Sequence, residues 1–319
     1  MTQAPETPSV WVVIVNFNSY GDTAECLESL AVSTYSGMTV VLVDNGSSDG
    51  SGQELEKKYS QVKHIRSEEN KGFAGGANLG IRSALDSGAK FICLLNNDTL
   101  VEPGFIEPLV ERAGATPDAG IIGGKILYAD NPDIIWFAGG SIDRRRGFTS
   151  HRGQDLADSA TFNKPGYVDY VTGCLFFVRA SLFSQLGLLR EDFFMYAEEV
   201  DFCLRARRAG FRCFFEPGSV IMHKVSRSME GAYRPVYYYY LSRNLLEIYS
   251  GHMGMRRLSI GVFRLAWHLV FVQSLTMLRA HRTASAPYIA ALWSGLFDFI
   301  RARMGRCGRS WLETAGGRR

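Results

Sequence analysis

At 319 residues, 46% hydrophobic and 21% charged, the chain holds one large globular domain or one domain plus an appendage, an ordinary soluble composition. Six cysteines at irregular spacing, with no CxxC pair, exclude a zinc pattern and favour reduced, buried thiols in a reducing compartment; the polar first nine residues argue against secretion. The net charge of +3 hides an asymmetry, because residues 252–319 carry 11 arginines, no lysine and two acids, so an acidic body precedes a basic tail.

Residues 10–15 (Val-Trp-Val-Val-Ile-Val) form a short apolar run with the length and bulk of a buried strand, and Asn16-Phe17-Asn18 follow at its carboxyl end. Asp22 caps a helix whose apolar face is Ala24, Leu27, Leu30 and Ala31. Residues 39–43 read as a second strand running into Asp44-Asn45-Gly46-Ser47-Ser48-Asp49, and residues 62–66 as a weaker third. Asn70-Lys71-Gly72-Phe73-Ala74-Gly75-Gly76-Ala77-Asn78 reads as a glycine-rich loop feeding a helix that stops near Gly88. Its glycines do not make a GxGxxG turn after a strand, which sets nicotinamide binding aside.

Phe91–Leu95 is the fourth strand, ending in Asn96-Asn97-Asp98. Strands and helices alternate at the interval of parallel βαβ units. Beyond about Gly123 the pattern changes. Residues 134–140 and 168–178 are strand-like around a basic loop at 143–153, residues 193–207 read as one helix, and short strands are expected at 213–215 and 220–222.

Three polar loops, at 16–18, 44–49 and 96–98, therefore share the carboxyl edge of a sheet, where open α/β folds bind ligands. Asp98 there can hold a divalent cation, Asp44 can accept from a base or a ribose, and backbone amides at 72–76 can approach phosphates. Each also has an ordinary reading as turn or cap chemistry. On a helix, Glu198, Asp201 and Arg205 share a stripe, and Glu199 points a quarter-turn away. Acids set among Phe193, Phe194, Tyr196, Val200 and Phe202 are poor candidates for plain surface residues, and a partly buried carboxylate has a raised pKa suited to a general base. His223, after a strand, is either structural or a metal ligand.

Taken together, Val-Ile-Val-Asn-Phe-Asn, Val-Asp-Asn-Gly-Ser-Ser-Asp-Gly-Ser, Asn-Lys-Gly-Phe-Ala-Gly-Gly-Ala-Asn, Leu-Asn-Asn-Asp-Thr and Phe-Met-Tyr-Ala-Glu-Glu-Val-Asp-Phe-Cys-Leu-Arg, with the following His, resemble the family 2 glycosyltransferases of GT-A fold, in order from Val10 to Arg227. Trp136–Gly140, 171–174 and 238–244 resemble the rhamnosyltransferase-like branch. The resemblance implies an α/β, Rossmann-like, mixed and mostly parallel sheet over residues 1–235, with a helical region at 236–319. It also implies inverting transfer from a nucleotide diphosphate sugar, dTDP-rhamnose favoured, to a glycan or lipid-linked acceptor. Asn96, Asp98 and His223 match the positions that hold Mg²⁺ or Mn²⁺, with Asn96 standing where the family has Asp. Asn16, Asn18, Asp44, Lys71, Gly72, Asn78, Asn97 and Asp98 match donor-binding positions. Glu199 stands where the family has its catalytic Asp, preceded by Glu198, with Asp201 and Arg205 as supports.

The tail offers one further expectation. Residues 258–278 are apolar but interrupted by Arg264 and His268, which with Arg257 fall on one helical stripe. That pattern suits an amphipathic helix lying on an anionic membrane surface, with Arg279, Arg282, Arg301, Arg303, Arg306 and Arg309 as attractants, or else a contact within the protein or an oligomer. A cytoplasmic protein, peripheral at most and without a nucleic-acid partner, is expected. Rival readings are a non-catalytic sugar-nucleotide binder and a sugar nucleotidyltransferase, though the latter needs a basic glycine-rich loop where Asn16–Tyr20 stands.

Overall fold

The computed structural model describes residues 7–143, 148–225, 235–281 and 285–314. In chain order the elements are β1 (Val10–Asn16), α1 (Tyr20–Ala31), β2 (Met38–Asn45), α2 (Ser51–Lys58), β3 (Lys63–Ser67), α3 (Gly72–Asp86), β4 (Phe91–Leu95), β5 (Thr99–Val101), α4 (Glu107–Ala115), β6 (Ala119–Tyr128), β7 (Asn131–Phe137), β8 (Gly140–Asp143), β9 (Phe148–His151), β10 (Gly166–Val168), β11 (Leu175–Arg179), α5 (Ala180–Leu186), α6 (Glu198–Arg208) and β12 (Arg212–His223). Then come α7 (Pro235–His252), α8 (Ile260–Ala266), a π-helical stretch at Trp267–Val272, α9 (Gln273–His281), α10 (Ala286–Ile300) and α11 (Ser310–Thr314). Two compact units divide the chain. One takes residues up to 141, 151–189 and 202–225; the other takes 142–150, 190–201 and everything from 226 onward. The boundary expected at residue 235 coincides with the start of α7, but residues 190–201 group with the C-terminal helices.

In the first unit ten described strands form one mixed sheet in the order β10-β12-β6-β11-β4-β1-β2-β3, with β5 paired to β12 and β7 to β6. β1 to β4 are parallel, β11 lies antiparallel between β4 and β6, and β12 is parallel to β6. Strands β1, β2, β3, β4, β6 and β12 therefore aim their carboxyl ends at one edge. β4 is buried throughout and β1 nearly so, as strands covered on both faces must be, which is why their sequences are almost unbroken apolar runs.

The glycine-rich stretch differs from the expected loop: it is the first turns of α3. A Cβ at Gly76 would stand 2.9 Å from Val15 Cγ1, and one at Gly80 only 2.3 Å from Val13 Cγ1. The glycines at 76 and 80 thus let α3 lie directly on β1, and their spacing is a packing signal. Gly80→Ala is expected to destabilise the fold by about 1–3 kcal/mol through overpacking, seen as a lower Tm.

Three other expectations need correction. The stretch 168–178 splits, because only residues up to 168 and from 175 pair as strands. The strands expected at 213–215 and 220–222 are one strand, β12, with a bulge between Glu216 and Val220. The helix expected from Phe193 starts at Glu198 instead. Phe194, Tyr196 and Ala197 have φ of +67°, +66° and +70°, left-handed values that no right-handed helix accommodates.

The second unit is built around α7, which packs against α10. Arg243 has no solvent exposure. Its guanidinium donates to the carbonyls of Phe193 (2.9 Å) and Gly305 (2.7 Å) and to the Tyr239 hydroxyl (3.3 Å). Asp298 accepts from the Tyr239 hydroxyl at 2.8 Å and forms an ion pair with Arg309. Arg257 binds Glu247 at 2.7 Å and the Phe299 carbonyl at 2.5 Å. Arg257 and Arg309, counted above among cations for a membrane, are thus committed within the fold, and Arg282 lies outside the described residues.

Candidate active site

Strand register levels the loops of the first unit. Asn16 pairs with Asp44, and β4, in register with β1 up to Ile14–Leu95, ends one residue before Asn96. Asn16 is wholly buried. Its Nδ2 donates to Ser47 Oγ and Ser51 Oγ, both at 3.1 Å, and its Oδ1 accepts from Thr23 Oγ1 at 2.9 Å. It ties the loops after β1 and β2 together. Asn18 is exposed, and its Oδ1 accepts from the Ser48 amide at 2.8 Å.

Asp44 is held differently. Its Oδ1 accepts from the Ser47 amide at 3.3 Å, whereas the buried Oδ2 has no hydrogen-bond partner and lies 3.8 Å from Arg66 Nε. An orphaned carboxylate oxygen is expensive to leave unmet, and a ligand N–H or hydroxyl at this edge would satisfy it. Gly52 supplies the clearance, since a Cβ there would fall 2.0 Å from that oxygen.

The glycine-rich residues are mostly engaged by the protein. Gly72 donates its amide to Asn70 Oδ1 (2.8 Å) and its carbonyl accepts from Asn45 Nδ2 (2.9 Å). The Lys71 amide donates to Asn45 Oδ1 at 3.1 Å, and its ammonium reaches Glu69 at 3.1 Å. Asn78 clasps the backbone of Leu189, donating to its carbonyl at 2.9 Å and accepting from its amide at 3.1 Å. Its place is structural, on the inner side of α3.

After β4 the chain turns sharply. The Asn96 amide donates to the Cys174 carbonyl (3.1 Å), the Asn96 carbonyl accepts from Thr99 Oγ1 (2.7 Å), and Asn97 Nδ2 donates to Thr23 Oγ1 (2.8 Å). This presents Asp98, whose Oδ1 accepts from His223 Nε2 at 3.1 Å across 125 residues of sequence. Pairing of β5 with β12 sets Thr99 opposite His223 and brings the two together. Burial alone would raise the Asp98 carboxyl, but the hydrogen bond and charge of His223, a backbone amide and Lys224 outweigh it and hold the group below the usual carboxylate range.

The His223 Nδ1 is buried without a hydrogen-bond partner. One carboxylate and one imidazole are hard and borderline donors that suit Mg²⁺ or Mn²⁺, which take one or two protein ligands and complete their shell with phosphate oxygens and water. The donor set fits such an ion only with a diphosphate present, because no cluster of three or more His, Cys, Asp or Glu exists among the described residues.

The stretch beginning at Trp136, noted above for its branch resemblance, borders this pair. The Trp136 ring meets His223 edge-on at 4.5 Å and His151 edge-on at 4.6 Å. His151 is pushed down to about 4, chiefly by burial, so it is neutral. The resemblance marks residues 136–140 without saying what the Trp136 ring touches; β7 folding back on β6 shows it. A cleft of about 440 Å³ lined by Arg152, Arg207 and Arg212 opens where β12 begins, at the opposite end of that strand from His223.

In the second unit Glu198 and Glu199 open α6, where the helix dipole favours negative charge. Both carboxyls are nonetheless pushed up by burial, Glu198 well above its ordinary range with Glu199's charge adding, and Glu199 to about 7. Glu198 is buried and its Oε2 lacks a partner, while Glu199 is half-buried. Asp201 accepts from His252 Nε2 at 3.1 Å. Arg205, part of the first unit, donates to the Leu186 and Leu188 carbonyls at 2.8 and 2.9 Å.

The left-handed residues before Glu198 are held by the buried Asn244, whose Nδ2 donates to the carbonyls of Phe193 (3.2 Å), Met195 (2.9 Å) and Tyr196 (2.8 Å). Such backbone persists only where its surroundings over-determine it. Asn244→Ala is expected to cost about 1–3 kcal/mol by leaving buried carbonyls unmet, and to lower kcat with little change in donor KM; Tm and steady-state kinetics read the two effects.

Residues 11–187, more than half of the chain, match the sequence profile of Glycosyl transferase family 2. The chain belongs to that family. An N-acetylglucosaminyl-diphospho-decaprenol L-rhamnosyltransferase of Mycobacterium tuberculosis is 28% identical over 239 residues, covering 68% of this chain and 76% of its own. The low-salt glycan biosynthesis hexosyltransferase Agl10 of Haloferax volcanii is 32% identical over 201 residues, 62% of this chain and 61% of its own. Among solved structures, the mannosyltransferase of Pyrobaculum calidifontis in complex with GDP-Man and Mn²⁺ superposes with a TM-score of 0.59 at 14% identity, over 94% of this chain and 89% of that one. GalNAc-T7 with UDP, GalNAc and Mn²⁺ gives 0.61 at 15% identity, over 98% and 58%. The fold is GT-A, and the protein is a glycosyltransferase.

Proposed function

We propose that this enzyme transfers a hexose, rhamnose first among candidates, from a nucleotide diphosphate donor to a glycan or lipid-linked acceptor, with inversion at the anomeric carbon. The observation that carries the reading is the Asp98–His223 pair at the carboxyl edge of the sheet, an ionised carboxylate and an imidazole beside the loops that carry Asp44 and Asn97. The Mycobacterium relative is named a rhamnosyltransferase with a diphospholipid acceptor and the Haloferax relative a hexosyltransferase, which supports the sugar and acceptor classes.

Asp98 and His223, with Asn96 beside them, would hold Mg²⁺ or Mn²⁺, as the Mn²⁺ complexes of the two fold neighbours also suggest. Such an ion, when bound, neutralises the diphosphate leaving group as a Lewis acid. Asp44 Oδ2 accepts from the nucleoside, and Asn18, Lys71 and Asn97 border the donor. Glu199 takes the proton from the acceptor hydroxyl, whose oxygen attacks the anomeric carbon on the face opposite the departing diphosphate, so configuration inverts. Glu198 stays protonated beside it. All six cysteines are buried free thiols, Cys26 pushed up to about 12 by burial, which suits a reducing compartment, and we place the reaction in the cytoplasm.

A thermal-shift screen of nucleotide sugars with Mn²⁺ tests the donor. dTDP-rhamnose is expected to raise the Tm by mass action, about 2.7 kcal/mol of stabilisation at a hundred times its Kd, and to give transfer to a polyprenyl-diphosphate sugar. A larger shift with a UDP- or GDP-sugar removes the rhamnose assignment. Binding without transfer to any acceptor restores the non-catalytic reading.

A further inference from the structure

The second unit leaves an apolar face uncovered. Leu258, Ile260 and Phe263 are 83%, 81% and 68% exposed, and Trp267, Leu275 and Leu278 are exposed too. From Ile260 the exposed apolar residues fall at 263, 267, 272, 275 and 278 through α8, the π stretch and α9, while Val262, Leu265, Leu269 and Val270 face inward. Trp293, Phe297 and Ile300 of α10 are exposed as well. Residues from both helical stretches line an almost wholly apolar groove of about 360 Å³, Phe263, Trp267 and Trp293 among them. An apolar surface this size is uncommon on a protein that meets only water.

Charge says what covers it. Between Met253 and Leu312 the only acid is Asp298, which is buried and paired to Arg309. Arg256, Arg264, Arg279, Arg301 and Arg303 are all exposed. The run Ile260–Arg279 is long and apolar enough to cross a bilayer by length and composition. Arg264, a turn inside the run, and His268, near its middle, oppose crossing, and α10, at 15 residues, falls short of a span.

We propose that this face docks on an anionic bilayer: Phe263, Trp267 and Trp293 enter the headgroup–acyl boundary and the surrounding arginines meet acidic lipid. Tryptophan suits that depth because its ring is apolar and its N–H wet. None of these residues is among those assigned to the donor, and the test does not depend on transfer activity.

The full-length protein is mixed with phosphatidylcholine vesicles, with and without 30% phosphatidylglycerol, and floated on a density gradient at low salt. The expected result is flotation with the anionic vesicles only, reversed at high salt, where screening is short. Arg256→Gln, Arg264→Gln and Arg279→Gln together are expected to cut partitioning roughly a hundredfold, at about fivefold per arginine. Phe263→Asp, at a position 68% exposed, combined with Trp267→Asp is expected to abolish it, and Phe263→Asp alone to weaken it at an unchanged Tm. Failure to float, equal capture by neutral vesicles, unchanged flotation of the aspartate variant, or retention through alkaline carbonate extraction overturns the proposal. So does sedimentation showing a dimer that the aspartate substitutions dissociate while vesicles capture nothing.

Discussion

Glu199→Gln is expected to lower kcat by about a hundred- to ten-thousand-fold, the usual contribution of a general base, while donor affinity by calorimetry stays within a few fold. Glutamine keeps the shape and loses the proton-accepting oxygen. Burial pushes the Glu199 carboxyl up to about 7, so in the native enzyme activity should climb with pH through that value as the base ionises, and the climb should vanish in the variant. On stability the sign is opposite. A carboxyl whose folded pKa lies above its unfolded one stabilises the fold fully below the unfolded value and loses that contribution as pH rises through about 7. Glu199→Gln should therefore flatten the fall in Tm between about pH 5 and 7. Near-normal turnover in the variant would remove Glu199 as the base and leave Glu198 or another group to be found.

Asp98→Ala is expected to abolish metal-dependent donor binding. Loss of even an outer hydrogen-bond partner of a metal ligand costs about 10- to 100-fold in metal affinity, and loss of the only carboxylate of the pair should exceed that. The substitution also leaves His223 Nε2 without its 3.1 Å acceptor, so Asp98→Asn, which retains the shape, serves as the control for folding. Calorimetric titration of Mn²⁺ with the nucleotide sugar reads the effect. Full activity of the native enzyme in excess chelator would count against a metal role.

Much of the first unit is readable in the chain. β1 and β4 announce themselves as apolar runs because both faces are covered, and each ends in polar residues because the sheet's carboxyl edge is open. Asp98 and His223 are legible one by one, but their contact depends on β5 pairing with β12 across 125 residues, which no local pattern encodes. Phe193 to Ala197 misled for a related reason. Their apolar spacing is helical, yet carbonyls bound by Arg243 and Asn244, some fifty residues later, hold the backbone left-handed. The glycines of α3 misled in function: a stretch that reads as a phosphate cradle is, at 76 and 80, clearance for a helix lying on a strand.

That clasp by α7 carries a practical consequence. A gene trimmed at the apparent end of the α/β region would express a sheet, an Asp98 and a His223, but the turn delivering the two glutamates would have lost the side chains that shape it. Whatever donor such a fragment still captured, it should turn over poorly, and chimaeras between relatives should exchange residues 190–201 and the C-terminal helices as one inheritance.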